Sequence, residues 1–134
     1  MKFNISAPKF KRQRRTAAQR RGLTYEKKVL KALGDLIADP WVLYKKPWIR
    51  WGEKLLQPDA VIVGKKITYL VEVKLTYRDD IWEKLWLLYA PPVEAHFKKP
   101  VLCVQVFKNL RDGEPHDAEP LRNLLGSSGL HFVF

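Results

Sequence analysis

Asp59, Glu72 and Lys74 are the residues whose types and spacing point most directly to chemistry. Glu72 and Lys74 stand two residues apart in Tyr-Leu-Val-Glu-Val-Lys-Leu, an otherwise apolar run, and Asp59 begins a second apolar run, Asp-Ala-Val-Ile-Val. Charges buried singly in such strands are costly unless they are paired or bind a cation. Two carboxylates on adjacent strands offer oxygen ligands to a hard divalent ion such as Mg²⁺, with Mn²⁺ as its substitute. A lysine beside them can orient or help deprotonate a water, or stabilise charge developing on a phosphate. The plainer alternative is a structural ion pair of Lys74 with Glu72 or Asp59 at a strand end.

These residues depend on a hairpin for their placement. Asp59–Val63 and Ile67–Lys74 read as its strands, joined through Gly64-Lys65-Lys66. A two-residue turn at Gly64-Lys65 sets Asp59 opposite Leu70, and one at Lys65-Lys66 sets Asp59 opposite Glu72. In either register Asp59, Glu72 and Lys74 share one face, because side chains alternate along a strand and cross-strand partners share a side. An odd-length turn without a compensating bulge breaks that grouping.

A helix over about Thr24–Ala38, with Thr24 as N-cap and Asp39-Pro40 as its stop, precedes the hairpin. Val29, Leu30, Leu33 and Ile37 follow Glu26 at helical offsets, which puts Glu26 at the N-terminal edge of the buried face. Glu26 is therefore a further candidate acid, although a first-turn glutamate favoured by the helix dipole is also common. Trp41–Tyr44 reads as a strand and 45–51 as a loop rich in lysine and tryptophan. A second helix is expected from Asp79-Asp80 to Tyr89, stopped by Pro91-Pro92. Val101–Phe107 is expected as a strand, 108–120 as a loop, Leu121–Leu125 as a short helix and Leu130–Phe134 as a last strand. The order helix, strand, strand, strand, helix, strand predicts an α/β fold with a mixed central sheet flanked by helices.

Charge suggests the partner. The formal net charge is +11, and +8 of it lies in residues 1–25, which hold no acid. We divide the chain into a basic arm, 1–22, extended at first and helical from Thr16 to Arg21, and one domain, 23–134, with Gly22 between them. An arm carrying Lys11, Arg12, Arg14, Arg15, Arg20 and Arg21 suits a polyanion such as DNA or RNA. A solubilising tail or contact with an anionic membrane is the alternative, but the arm has few large apolar residues for insertion. Lys45, Lys46 and Arg50 mix with Trp48 and Trp51, which suits phosphate contact and base stacking as well as it suits packing. Arg78 and Lys84 could reach phosphate, or simply belong to a solvated face. Trp82, Trp86 and Tyr89 fall at i, i+4 and i+7; Leu85 and Leu88 widen that surface and favour core packing over a base-stacking stripe.

Other classes are disfavoured. At 134 residues the chain can bury about two-thirds of its unfolded surface in one domain. Cys103, the single cysteine, lies in an apolar run and reads as a buried thiol. It can form no internal disulfide, which fits a reducing, cytoplasmic setting. His96, His116 and His131 have no motif context, and with Cys103 they make no four-ligand zinc site. No apolar stretch approaches the roughly 18 residues of a membrane span, and no secretory signal is expected.

Glu26 on a helix, Gln57-Pro58-Asp59, a hairpin, and Glu72-Val73-Lys74 together resemble the PD-(D/E)XK nuclease superfamily. The resemblance covers about residues 24–107, including the αβββαβ order of its restriction-endonuclease-like core, and its motif is short and degenerate. It implies a metal held by Asp59, Glu72 and the Val73 carbonyl, with Lys74 against the scissile phosphate and attacking water. It also implies phosphodiester cleavage in DNA, less often RNA, with an endonuclease expected here. One branch of the superfamily carries Gln-x-x-x-Tyr on the following helix; here Leu85 stands four residues before Tyr89, so that signature is absent. Small phage junction-resolving endonucleases share the size, the basic arm and the early helix glutamate, which would make this a phage-type protein acting in a bacterial host. A homodimer joined through the arm is compatible with the sequence. The competing readings are a non-catalytic basic nucleic-acid-binding protein and an RNA-associated protein of the ribosomal kind.

Overall fold

The computed structural model describes residues 2–9, 14–111, 118–123 and 129–132. Helix α1, Ala17–Leu36, begins at Thr16 rather than Thr24. Thr16 Oγ1 accepts from the Gln19 N–H, and Gln19 Oε1 accepts from the Thr16 N–H, a reciprocal cap that satisfies two exposed donors. Thr24 instead lies inside the helix, where its hydroxyl donates to the Arg20 carbonyl. Gly22 does not interrupt the helix, so Ala17 to Gly22, expected as part of the arm, continue it. A glycine costs a helix roughly 0.5–1 kcal/mol, too little to break one capped upstream and packed downstream through Tyr25, Val29, Leu30 and Leu33.

After α1 the chain forms β2 (Val42–Lys45), β3 (Trp48–Trp51), β4 (Lys54–Leu56), β5 (Ala60–Val63) and β6 (Thr68–Thr76). The expected loop at 45–51 is thus mostly strand. β3 and β4 form a hairpin, and β1 (Lys2–Ile5) adds to it as a third antiparallel strand. The start of the basic arm is therefore tied down. Phe3 meets Tyr44 and Phe97 edge-on, with ring centroids 5.0 and 4.8 Å away, and stacks on His96.

The main sheet has the order β2-β5-β6-β7-β9-β8, with β7 at Val101–Asn109, β8 at Glu119–Pro120 and β9 at Gly129–Phe132. β2, β5 and β6 are antiparallel neighbours, whereas β6, β7, β9 and β8 run parallel, so the sheet is mixed. Between them Leu121–Asn123 forms a single 3₁₀ turn. The remainder of the short helix expected there, Leu124 and Leu125, lies outside the described residues.

Alternation along β5 and β6 sorts two cores. Ala60, Ile62, Tyr69, Val71 and Val73 pack under α1, while Val61 and Leu70 face the crossover between β6 and β7. Ile49 and Leu56 of the small sheet join that second core. The crossover helix runs on past Pro91-Pro92 instead of stopping there. It consists of α2 (Ile81–Glu83), a π-helical stretch (Lys84–Tyr89) and α3 (Ala90–Phe97). A proline lacks an N–H and crowds the carbonyl one turn earlier. The widened turn gives the Ala90 N–H to the Leu85 carbonyl, and the prolines then fall in the first turn of α3, where they are tolerated.

Candidate active site

The hairpin takes the register that sets acid against acid. Ala60 pairs with Val71 and Val63 with Thr68, so Asp59 stands opposite Glu72 one step further out. Gly64 and Ile67 close the turn around Lys65-Lys66, with the Gly64 N–H donating to the Ile67 carbonyl at 2.9 Å. A side chain at Gly64 would strike the Trp41 ring at 2.8 Å, which holds that position to glycine.

Asp59 is oriented by the neighbouring strand: its Oδ2 accepts from the Val73 N–H at 2.7 Å. Its backbone carbonyl accepts from the Lys46 N–H at 2.8 Å. Burial raises the Asp59 carboxyl to about 7; repulsion from Glu72 and Glu26 adds to this, and the Val73 N–H and Lys74 oppose it. Glu72 is 4% exposed, and burial raises its carboxyl as well, against the pull of Lys84 and Lys74. Its Oε1 has Lys74 Nζ at 3.6 Å and Lys84 Nζ at 3.8 Å, both longer than a direct hydrogen bond. Its Oε2 is buried without a hydrogen-bond partner.

Glu26 lies at the edge of the buried face of α1, its side chain 13% exposed, and pairs with Lys46 Nζ at 3.0 Å. Its charge adds a smaller push to the rise of both Asp59 and Glu72. Lys46 has a left-handed backbone, φ 47°, and several ties hold it there. Gln57 Nε2 donates to its carbonyl at 3.0 Å, its N–H bonds Asp59, and its ammonium bonds Glu26. Gln57 thus braces the site from the Gln-Pro-Asp tripeptide, a role that the sequence pattern alone did not assign to it.

Of the cations expected to meet phosphate, Lys46 and Lys84 are drawn to these acids. Burial works against the charge on Lys84, but Glu72, Tyr89 and Asp59 together outweigh it and the ammonium ends above its ordinary value. The others are elsewhere. Arg78 pairs with Asp80 on the exposed turn after β6. Lys45 ends the edge strand β2, and Arg50 is exposed on β3. Arg14, Arg15, Arg20 and Arg21 are exposed at the start of α1, while Lys11 and Arg12 lie outside the described residues. The aromatic stripe splits: Tyr89 is buried, Trp82 packs at the rim of the core and donates to Tyr77, and Trp86 is 45% exposed.

A buried residue escaped the sequence reading altogether. Gln105, next to Glu72 on β7, accepts from the Arg78 N–H and donates to the Arg78 carbonyl, each at 2.9 Å, clamping the turn that leads into α2. A lone glutamine in an apolar strand was the signal available.

Among the described residues no group of three or more His, Cys, Asp or Glu side chains is arranged to hold a metal. The side-chain donors at this position are Asp59 and Glu72, with Glu26 engaged by Lys46. Hard oxygen donors, one of them buried and unpartnered, fit an ion of the Mg²⁺ type that keeps part of its water. No helix among the described residues is long and apolar enough to cross a membrane. No model of a known protein family matches the chain, and no curated protein matches it either.

Proposed function

We propose that the protein is a Mg²⁺-dependent nuclease that hydrolyses phosphodiester bonds in DNA, acting as an endonuclease of the PD-(D/E)XK type. The observation that carries this reading is the half-buried Asp59 and the buried Glu72, brought together at the end of the β5–β6 pairing with Lys74 beside Glu72 and one Glu72 oxygen unpartnered. Retaining such groups without a cation or substrate costs stability, which favours a functional reason for them. Setting aside the β3–β4 hairpin between β2 and β5, the elements α1, β2, β5, β6, crossover helix and β7 support the αβββαβ reading that the resemblance implies.

In this reading Asp59 and Glu72 hold the Mg²⁺, with the Val73 carbonyl as a third oxygen. The ion would supply Lewis-acid stabilisation of charge on phosphate and would make bound water a better nucleophile. The Val73 N–H fixes the orientation of Asp59. Lys74 donates to a phosphate oxygen or holds the attacking water. Glu26 adds a further negative charge nearby, tethered by Lys46. Arg14, Arg15, Arg20 and Arg21, together with Lys11 and Arg12, contribute sequence-independent contacts to the DNA backbone.

Cleavage of duplex, single-stranded and branched DNA with Mg²⁺ tests this. Asp59→Ala and Lys74→Ala are each expected to lower the rate by at least about 100-fold. Undiminished cutting by either variant overturns the assignment. Tight, salt-sensitive binding without cutting under Mg²⁺ or Mn²⁺ would show a non-catalytic DNA-binding protein instead.

A further inference from the structure

Lys84 reaches Glu72 from a different element than Lys74 does, and holds it more loosely. Its Nζ is 3.8 Å from Oε1 and 4.8 Å from the centre of the Tyr89 ring, and its side chain is 42% exposed. The π-helical stretch accounts for this position. With i→i+5 bonding, Lys84 and Tyr89 lie one above the other, so the aromatic ring flanks the ammonium. The head group can leave Glu72 for solvent without disturbing the core, because Leu85, Leu88 and Tyr89, not Lys84, pack inward from this stretch.

The cations at the site are already numerous for its acids. Lys46 pairs with Glu26, and Lys74 and Lys84 both lie against Glu72, beside Asp59. A divalent cation entering this arrangement meets ammonium groups already beside its oxygen donors, and its charge is left uncompensated. A phosphate backbone brought against the site corrects both conditions. It attracts a half-exposed ammonium, and it supplies the negative charge that the cation needs.

We propose that Lys84 is an exchangeable counter-ion of Glu72 that couples divalent-cation binding to DNA binding. In the free protein it occupies the charge position of the cation. When DNA is bound its ammonium moves to a phosphate oxygen, and Glu72 becomes available. The proposal rests on the nuclease reading above and names Lys84 as a positioning residue in it. By linkage, DNA must tighten cation binding by the same factor by which the cation tightens DNA binding.

Two measurements on the full chain test it: Ca²⁺ binding by titration calorimetry without DNA, and the affinity for a short DNA duplex by fluorescence anisotropy with and without Ca²⁺. Lys84→Gln is expected to bind Ca²⁺ about tenfold more tightly than wild type when DNA is absent, a coupling of ordinary size. It is also expected to lose most of the gain in DNA affinity that Ca²⁺ confers on wild type. Lys84→Arg, which keeps the charge, should retain that gain. Equal Ca²⁺ affinity in wild type and Lys84→Gln, or an equal gain in DNA affinity, overturns the coupling while leaving Mg²⁺-dependent cleavage to stand on its own assay. Wild-type Ca²⁺ binding that Asp59→Asn does not change, with and without DNA, overturns the coupling and the metal site together.

Discussion

The Val73 N–H donates to Asp59 Oδ2 at 2.7 Å, so the strand that carries Glu72 also aims the aspartate opposite it. This bond lowers the Asp59 carboxyl, yet burial and the charge of Glu72 prevail and bring it to about 7 from the usual 3.8. A carboxyl raised on folding takes up a proton. Its favourable contribution to stability is complete below the unfolded value and disappears as pH rises through the folded one. The relevant window therefore runs from about pH 4 to about pH 8, and Glu72, also raised, acts with the same sign. Asp59→Asn keeps an oxygen for the Val73 N–H and removes the charge. In metal-free buffer it should match wild type near pH 4 and gain on it steadily as pH rises, by up to about 4 kcal/mol near pH 8. Urea unfolding across that range measures this, and parallel stability curves for the two proteins would contradict it.

Gln105 holds both backbone groups of Arg78 and is fully buried. Leucine has a similar volume but satisfies neither group. Gln105→Leu should destabilise the protein by about 1–3 kcal/mol, the ordinary contribution of two hydrogen bonds to backbone groups that water can partly reach. Equilibrium unfolding provides the comparison, and a change below about 0.5 kcal/mol would show that the clamp contributes little.

Gly22 lies mid-helix, and a Cβ added there meets nothing within 4 Å. Gly22→Ala should stabilise the protein by about 0.5–1 kcal/mol, mainly by restricting the unfolded chain. A rise in melting temperature together with a small gain in helical circular dichroism is expected. A loss of stability would mean that α1 is interrupted where the glycine suggested.

The grouping of Asp59, Glu72 and Lys74 was legible in the sequence because it follows from two local regularities. Strand side chains alternate with period two, and a two-residue turn at Lys65-Lys66 preserves parity across the hairpin. The buried edge position of Glu26 followed in the same way from the 3.6-residue period of α1, carried by Val29, Leu30 and Leu33. Other features depend on encounters between distant segments. β1 pairs with β3 through Phe3 and Ile49, which no local propensity announces, and that pairing turns the start of a charged arm into sheet. The π-helical stretch arises where Pro91-Pro92 must continue a helix that Leu85, Tyr89 and Val93 bind to the sheet, so packing overrode the stop signal. Lys46 and Lys84 read equally well as phosphate contacts or solvated charges. Only the tertiary structure brought them to Glu26 and Glu72, because the partner of a long, flexible cation is chosen by which buried carboxylate the fold places within its reach.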